Sequence, residues 1–456
     1  MQTHQAVRAC SLKSDDGVLI KNTSSFFSSK EEPALSKVVK AKYTADAIKG
    51  FSHRTAMEEA ARCLLCYDAP CSKGCPAGTN PAKFIRAIRF RNPKGAVETI
   101  RENNVLGGSC ARICPFDNLC EEACSRCGID RPIEIGKLQR YAIEQEKIFK
   151  MKTLKAPEKK KAGKVACVGS GPASLACAAE LAKAGYSVTI FEKENKAGGM
   201  LTYGIAPSRL PQSVIDQDIE QVKGLGIKFI FGKTVGKNVD LSKMDFDAIF
   251  IGTGLCGTSL PDIRGTKLNR VYTAVDFLKN AKTKKEKFKF GSKVIVVGGG
   301  DVAVDCAVTA KLLGADEVRI VYRRTLEEAP GNMNEFHYAL SLGIGITTNM
   351  APASLTGKSK LEYAIFKGRD KKSDLKLAAD AIVFATGQKA EDMTKIAPVA
   401  LNEKGEIKAK SKGKTNVAKI FAGGDIVNGG DTAVQAVKEG KDAAASIIAY
   451  LEKGGK

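Results

Sequence analysis

Twice in this 456-residue chain an apolar strand runs into a glycine-rich turn that opens a helix, and that repeat restricts most of the sequence to one kind of fold. Val165 to Val168 lead into Gly169-Ser170-Gly171-Pro172-Ala173-Ser174, and Val294 to Val297 lead into Gly298-Gly299-Gly300-Asp301-Val302-Ala303. Around both turns short apolar runs alternate with helical ones, which predicts an α/β fold of parallel sheets with helices on both faces. In such a unit the first glycine makes the tight turn and the second admits a pyrophosphate close to the backbone. The helix N-terminus adds amide donors and a positive dipole. Gly169, Gly171, Pro172 and Ala173 are therefore candidate contacts of one dinucleotide, and Gly298, Gly300, Asp301 and Val302 of a second.

The two units diverge at the end of their second strand. The strand Ser187 to Phe191 ends at Glu192, whose carboxylate can accept hydrogen bonds from ribose hydroxyls. After Val318 to Val321 the chain instead reads Tyr322-Arg323-Arg324, without a carboxylate at the strand end. Adjacent guanidiniums can pair with a 2′-phosphate, so the second unit is predicted to take NADPH in preference to NADH. The plainer alternative is that Arg323 and Arg324 belong to a solvated loop.

The first unit then needs a flavin. Near the C-terminus Ile420-Phe421-Ala422-Gly423-Gly424-Asp425 reads as a buried strand ending in a tight turn, followed by Thr432-Ala433-Val434 at a helix start. Asp425 can hold a ribityl chain there, and Gly199, Gly254, Gly387 and Gly424 complete the candidate cofactor contacts. The pattern resembles the two-dinucleotide flavoprotein reductases, in which the NAD(P)H domain is inserted into the FAD domain. The crossings fall at Gly252-Thr253-Gly254 and Ala385-Thr386-Gly387. Disulfide reductases of that superfamily use a close cysteine pair. Here Cys167, Cys177, Cys256 and Cys306 stand singly in apolar runs and read as small core residues, so electrons must leave by another route.

Nine of the fourteen cysteines lie between Cys63 and Cys127. Without a secretory pattern at the N-terminus, that clustering points to metal rather than disulfides. Cys63, Cys66, Cys71 and Cys75 precede Pro76, and Cys110 and Cys114 precede Pro115, with Cys120 and Cys124 beyond. Thiolates at such intervals can wrap a [4Fe-4S] cubane, and the Cys-Pro closings are like those of bacterial ferredoxins; four thiolates also suit a structural zinc. Flanking this region, 80–102 is predicted as two short helices broken at Asn92-Pro93, and 132–150 as a third with Ile135, Leu138, Tyr141 and Ala142 on its apolar side. A Lys-, Pro- and Gly-rich stretch over 151–164 reads as an exposed connector. Its presence divides the chain into an extension (1–50), a helical iron–sulfur domain (51–155), a first FAD part (162–256), an NAD(P)H domain (257–388) and a second FAD part (389–456).

Taken together, Arg62-Cys63-Leu64-Leu65-Cys66 through Pro76, Arg101-Glu102-Asn103-Asn104, Cys110 through Pro115 and Ile133-Glu134-Ile135-Gly136-Lys137-Leu138-Gln139 resemble the N-terminal module of dihydropyrimidine dehydrogenase. The likeness is greatest to the separate flavin subunit of the bacterial two-subunit enzymes and extends to the small subunit of glutamate synthase. The resemblance implies two [4Fe-4S] clusters, one on Cys63, Cys66, Cys71 and Cys124, the other on Cys75, Cys114, Cys120 and Gln139. Cys110 and Cys127 are left over as structural residues. It also implies an electron-input subunit that hands electrons to an FMN-barrel subunit, with NADH as the usual donor of the bacterial subunits.

The rival readings are a glutamate synthase small subunit, a stand-alone reductase of ferredoxin or another acceptor, and a non-enzymatic iron–sulfur scaffold. A formal charge of +22 favours an acidic acceptor protein. The scattered lysines, with few aromatics among them, argue against nucleic acid, and the lack of a long apolar run argues against a membrane span. A cytoplasmic protein in a homo- or hetero-oligomer is expected. The Ser-rich first thirty residues, with Arg8, Lys13 and Lys21 against Asp15 and Asp16, leave an organellar presequence as the alternative.

Overall fold

Asparagine followed by proline starts two of the helices that surround the cysteines. Asn80 Oδ1 accepts from Lys83 N at 2.9 Å and Asn92 Oδ1 from Gly95 N at 2.8 Å. Each proline occupies the first helical position, where its missing N–H costs nothing. The computed structural model describes residues 42–454 other than 45, 259, 285 and 286, so the reading of the first thirty residues falls outside it. The helical module comprises α1 (His53–Ala61), α2 (Pro81–Arg89), α3 (Pro93–Asn103), α4 (Gly107–Ile113) and α5 (Ile135–Ile148). The apolar faces of α1, α2, α3 and α5 share one core that includes Phe84, Ile85, Ile88, Val97, Ile100, Leu138 and Ala142, whereas Cys110 and Ile113 of α4 pack into the core of the first sheet unit.

The connector then feeds β1 (Lys164–Val168), α6 (Pro172–Lys183), β2 (Ser187–Phe191), α7 (Gln212–Lys223), β3 (Lys228–Ile230) and β4 (Ala248–Ile251). From β4 the chain leaves to build a second unit: β5 (Val271–Thr273), α8 (Ala274–Thr283), β6 (Lys293–Val297), α9 (Asp301–Leu312), β7 (Glu317–Val321) and β8 (Gly345–Thr347). An antiparallel layer follows, β9 (Met350–Thr356), β10 (Tyr363–Gly368) and β11 (Asp374–Ala378), before β12 (Ala381–Phe384). The chain returns as β13 (Ile420–Ala422) and closes with α10 (Ala433–Glu452). The two parallel sheets have the orders β13-β4-β1-β2-β3 and β5-β12-β6-β7-β8, so one dinucleotide fold is inserted in the other. Helices α6 and α10 cross closely because Gly440 has no side chain: a Cβ there would lie 2.1 Å from Ala173 O. Among the described residues no helix is long and apolar enough to cross a membrane.

A buried ionic network joins the helical module to the first sheet unit. Arg101 of α3 is wholly buried and donates to both carboxylate oxygens of Glu146 on α5, at 3.1 and 2.6 Å, and to Asp218 of α7 at 2.6 Å. Burial works against the guanidinium's charge, but the Asp218 and Glu146 carboxylates more than offset it and hold Arg101 protonated. Asp218 also accepts from Gly108 N (3.1 Å), Ser109 N (2.7 Å) and Ser109 Oγ (2.7 Å), capping the first turn of α4. Arg101→Met would leave two carboxylates buried without a counter-charge. A loss of about 3–5 kcal/mol is expected, read as a lower urea midpoint. An unchanged midpoint would show that the carboxylates find other partners.

Candidate active site and cysteine centres

The strand-to-helix turns of the first unit open on one cavity of about 540 Å³. Gly169 sits at φ 88°, and a Cβ there would come within 2.8 Å of Gly252 O, so only glycine lets β1 turn into α6 beside β4. Gly169, Gly171, Pro172 and Ala173 line the cavity, as do Glu192, Gly199, Gly254, Gly424, Asp425, Thr432 and Ala433. The N-termini of α6 and α10 therefore face the same space, an arrangement that favours an anionic diphosphate. Glu192 is buried; its Oε2 accepts from Ser170 N (2.9 Å) and its Oε1 from Glu194 N (2.8 Å), which orients the carboxylate along the wall. Burial raises the Asp425 carboxyl above its ordinary range. Val434 departs from the rest of its triplet: its side chain lies in the core beneath α10 and does not line the cavity.

The second glycine turn contributes less. Asp301 and Val302 reach the cavity, whereas Gly298, Gly300 and Gly387 do not line it. Segment 330–332 lies over that turn, with Gly331 N donating to Gly299 O at 3.1 Å and Asn332 N to Asp301 Oδ1 at 2.7 Å. Arg323 and Arg324 are exposed just beyond β7, outside the cavity, and form no ion pair among the described residues.

Four cations of the cavity wall, Lys193, Arg209, Lys233 and Lys279, escaped the sequence reading, because none of them belongs to a motif. Arg209 pairs with Asp305 (3.2 Å), Glu335 (3.0 Å) and Asp301 (3.6 Å), tying the two dinucleotide units together. Lys279 pairs with Glu194 at 2.5 Å, and Lys193 with Glu391 at 2.6 Å. Cys256 is a correction. Cys167, Cys177 and Cys306 are fully buried as expected, but Cys256 is half-buried and lines the cavity, with its Sγ donating to Thr253 O at 3.3 Å. The apolar run ends at Ile251, and 252–256 turns outward along the wall instead of continuing the strand.

Cys63, Cys66, Cys71 and Cys124 border one small pocket together with Ala82, Ser125 and Ile133. Burial, and then the charges of neighbouring thiols, push Cys71 up to about 11 and raise Cys63 as well. Cys75, Cys114 and Cys120 form a second group within electrostatic reach of one another. A hydrogen bond with Cys110, then burial, holds Cys114 well above the ordinary thiol range. Burial, then Glu121, Cys75 and Cys71, raise Cys120, so the two groups are neighbours. Thiols gathered this closely repel one another as thiolates, a repulsion that a cationic cluster would relieve. Among the described residues no three His, Cys, Asp or Glu side chains close on a single-ion site. Gln139 is only 7% exposed, which excludes a surface amide; its Nε2 donates to Gly107 O at 2.8 Å, leaving the oxygen as the end able to ligate. Cys110 is buried beside Cys114, and Cys127 lies with its Sγ 3.5 Å from Glu121 O.

The cavity and the second cysteine group adjoin, since Ile113 and Pro115, on either side of Cys114, belong to the cavity wall. Residues 163–440 match the family model for pyridine nucleotide-disulphide oxidoreductases, and residues 40–151 match dihydropyrimidine dehydrogenase domain II, 4Fe-4S cluster. The NAD-dependent dihydropyrimidine dehydrogenase subunit PreT of Escherichia coli O157:H7 is 42% identical over 415 residues, spanning 90% of this chain and 98% of PreT. The glutamate synthase [NADPH] small chain of Escherichia coli K12 is 33% identical, spanning 88% of this chain and 93% of that protein. Mycobacterium tuberculosis FprA in complex with NADPH shares the fold at TM-score 0.55 and 20% identity, covering 64% of this chain and 86% of FprA. The dinucleotide folds, the cavity at their glycine turns and the cysteine module against it have one reading: the chain belongs to the pyridine nucleotide-disulphide oxidoreductase family and is a flavin and iron–sulfur electron-transfer oxidoreductase of the PreT kind.

Proposed function

We propose that the protein takes electrons from NADPH into an FAD held in the 540 Å³ cavity and passes them through two [4Fe-4S] clusters to a separate acceptor, as the electron-input subunit of a dihydropyrimidine dehydrogenase. The observation that carries this reading is the shared wall: Ile113 and Pro115 bring the Cys114 group against the space framed by Gly169, Gly171 and Asp425. Flavin and clusters supply the chemistry when bound, converting a two-electron hydride into single electrons. The chain's own residues bind and orient. The α6 and α10 N-termini hold the diphosphate, Glu192 a ribose, and Asp425 the ribityl chain. In the NAD(P)H unit Gly298, Gly300 and the first turn of α9 take the nicotinamide dinucleotide, with Gly387 at the return crossing. Domain limits of 51–155, 162–256, 257–388 and 389–456 fit these roles, with the NAD(P)H unit joined to the FAD unit at its two crossings. The relatives' names support both an NAD-dependent and an NADPH-dependent reading, and the strand end Tyr322-Arg323-Arg324 favours the latter.

Each of the eight ligands, Cys63, Cys66, Cys71 and Cys124 in one group and Cys75, Cys114, Cys120 and Gln139 in the other, is open to direct test. Protein purified without oxygen is expected to carry FAD with about eight iron and eight sulfide per chain. Gln139→Ala should shift or abolish one cluster's paramagnetic signal while flavin content stays the same. Stoichiometric zinc without acid-labile sulfide would contradict the assignment, and an unchanged signal would remove Gln139 from it.

Replacing Arg323 and Arg324 by serine should raise the KM for NADPH at least about tenfold and leave that for NADH nearly unchanged, since each charge-assisted bond is worth roughly 1.5–3 kcal/mol. The NADPH effect should shrink as salt rises, because both arginines are exposed. Equal losses with the two nucleotides, or a wild-type preference for NADH, would refute the 2′-phosphate pairing.

A further inference from the structure

Resting on the electron path just proposed, the geometry points to where electrons leave: over the Cys63 group, through a surface made by Leu64, Tyr67 and Phe90 and rimmed by Arg86, Arg89 and Arg91, which docks an acidic redox protein. The two cysteine groups are not equivalent with respect to the cavity. Ile113 and Pro115, flanking Cys114, line it, whereas none of Cys63, Cys66, Cys71 and Cys124 does. Cys71 and Cys120 lie within each other's electrostatic reach. The groups therefore run in series from cavity to Cys114, from Cys120 to Cys71, and from there to Cys63 and Cys66. Electron transfer weakens steeply with distance, so an acceptor must dock over the outer group.

One wall of that group's pocket is the short loop that carries Cys63, Leu64 and Cys66. Leu65 is held at φ 54°, a left-handed conformation disfavoured for a branched side chain, and its neighbours stand out into solvent. Leu64 is 45% exposed and Tyr67 wholly so. Phe90, at the end of α2, is 70% exposed, and Arg89 beside it lies close enough to act electrostatically on Cys63. Isolated exposed apolar residues are ordinary on a surface, but an aliphatic and two aromatic residues about one redox group form the apolar centre a partner would bury.

The charge around them selects the partner. Residues 82–91 contain Lys83, Arg86, Arg89 and Arg91 and no acid. All four are exposed, and among the described residues Arg86, Arg89 and Arg91 form no ion pair. The other arginines of this side are already neutralised: Arg62 by Glu59 and Asp130, Arg126 by Asp130, Arg131 by Glu59 and Glu134. Three unpaired guanidiniums on one short segment, with Arg89 beside Cys63, would steer an acidic partner into place and repel a basic one. Each encounter moves one electron: the outer group is oxidised by one, the acceptor's metal or flavin is reduced by one, and NADPH supplies two through the cavity.

The test uses the whole cofactor-loaded protein without oxygen, NADPH as donor, and two probes that accept electrons readily but carry opposite charge: rubredoxin, which is acidic, and a basic cytochrome c. Wild type should reduce rubredoxin faster than cytochrome c, and its rubredoxin rate should fall as salt rises. The triple variant Arg86→Glu, Arg89→Glu, Arg91→Glu should lose about tenfold or more with rubredoxin and gain with cytochrome c, while NADPH bleaches its flavin as fast as before. Arg89→Glu alone and Tyr67→Ser, which demand less of the fold, should each lower the rubredoxin rate with the same unchanged bleaching. Equal rubredoxin rates in wild type and variants would overturn the proposal. So would a wild type that bleaches its flavin and reduces its clusters yet passes nothing to rubredoxin at low salt. Failure of NADPH to bleach the flavin at all would instead refute the electron path on which this surface depends.

Discussion

A single guanidinium with no solvent exposure holds the two halves of this protein in register. Arg101 comes from the helical cysteine module, and its partners Glu146 and Asp218 come from opposite sides of the boundary, one on α5 and the other on α7. Such a buried triad is weak support for stability as such, since apolar residues could fill the same volume. Its consequence is geometric. The carboxylate that neutralises Arg101 also takes three hydrogen bonds from the first turn of α4, whose far end delivers Cys114. A helix of the flavin unit thereby fixes where the inner cysteine group lies relative to the cavity. A small rotation between the halves would break charged hydrogen bonds in a place water does not reach.

The same logic runs through the rest of the site. Arg209 ties the loop after Gly204 to Asp305 and Glu335 of the inserted unit, and Lys441 on α10 donates to Ala77 O (2.7 Å) and Asn103 O (2.8 Å) of the cysteine module. Cations thus bridge the boundaries between units, while the proposed cofactor contacts are mostly backbone at glycine turns and helix starts. That division of labour suits a protein whose chemistry resides in bound groups: the chain's task is to keep their separations short and constant.

The sequence made much of this legible because its strongest signals are local. Gly169-Ser170-Gly171 needs a strand before it and a helix after it, and both are present; the Asn80-Pro81 and Asn92-Pro93 caps mark helix starts that the apolar spacing also predicts. Gln139 was singled out only through resemblance, since nothing in an amphipathic helix marks an amide as buried rather than surface. What stayed hidden is tertiary. Arg209, Lys193 and Lys279 carry no motif, and the contact of Ile113 and Pro115 with the cavity depends on how two units dock. Cys256, read as a core residue, lies beyond the crossing at Gly252-Thr253-Gly254, where the backbone has already left the sheet.

The central claim is that the cavity and the two cysteine groups form one continuous path. Rapid mixing with NADPH in the absence of oxygen, followed both by flavin absorbance and by freeze-quenched paramagnetic resonance, tests it directly. The account predicts that flavin bleaching is followed, within the same turnover, by the signal of reduced iron–sulfur clusters. Full bleaching of the flavin with the clusters remaining oxidised would contradict it.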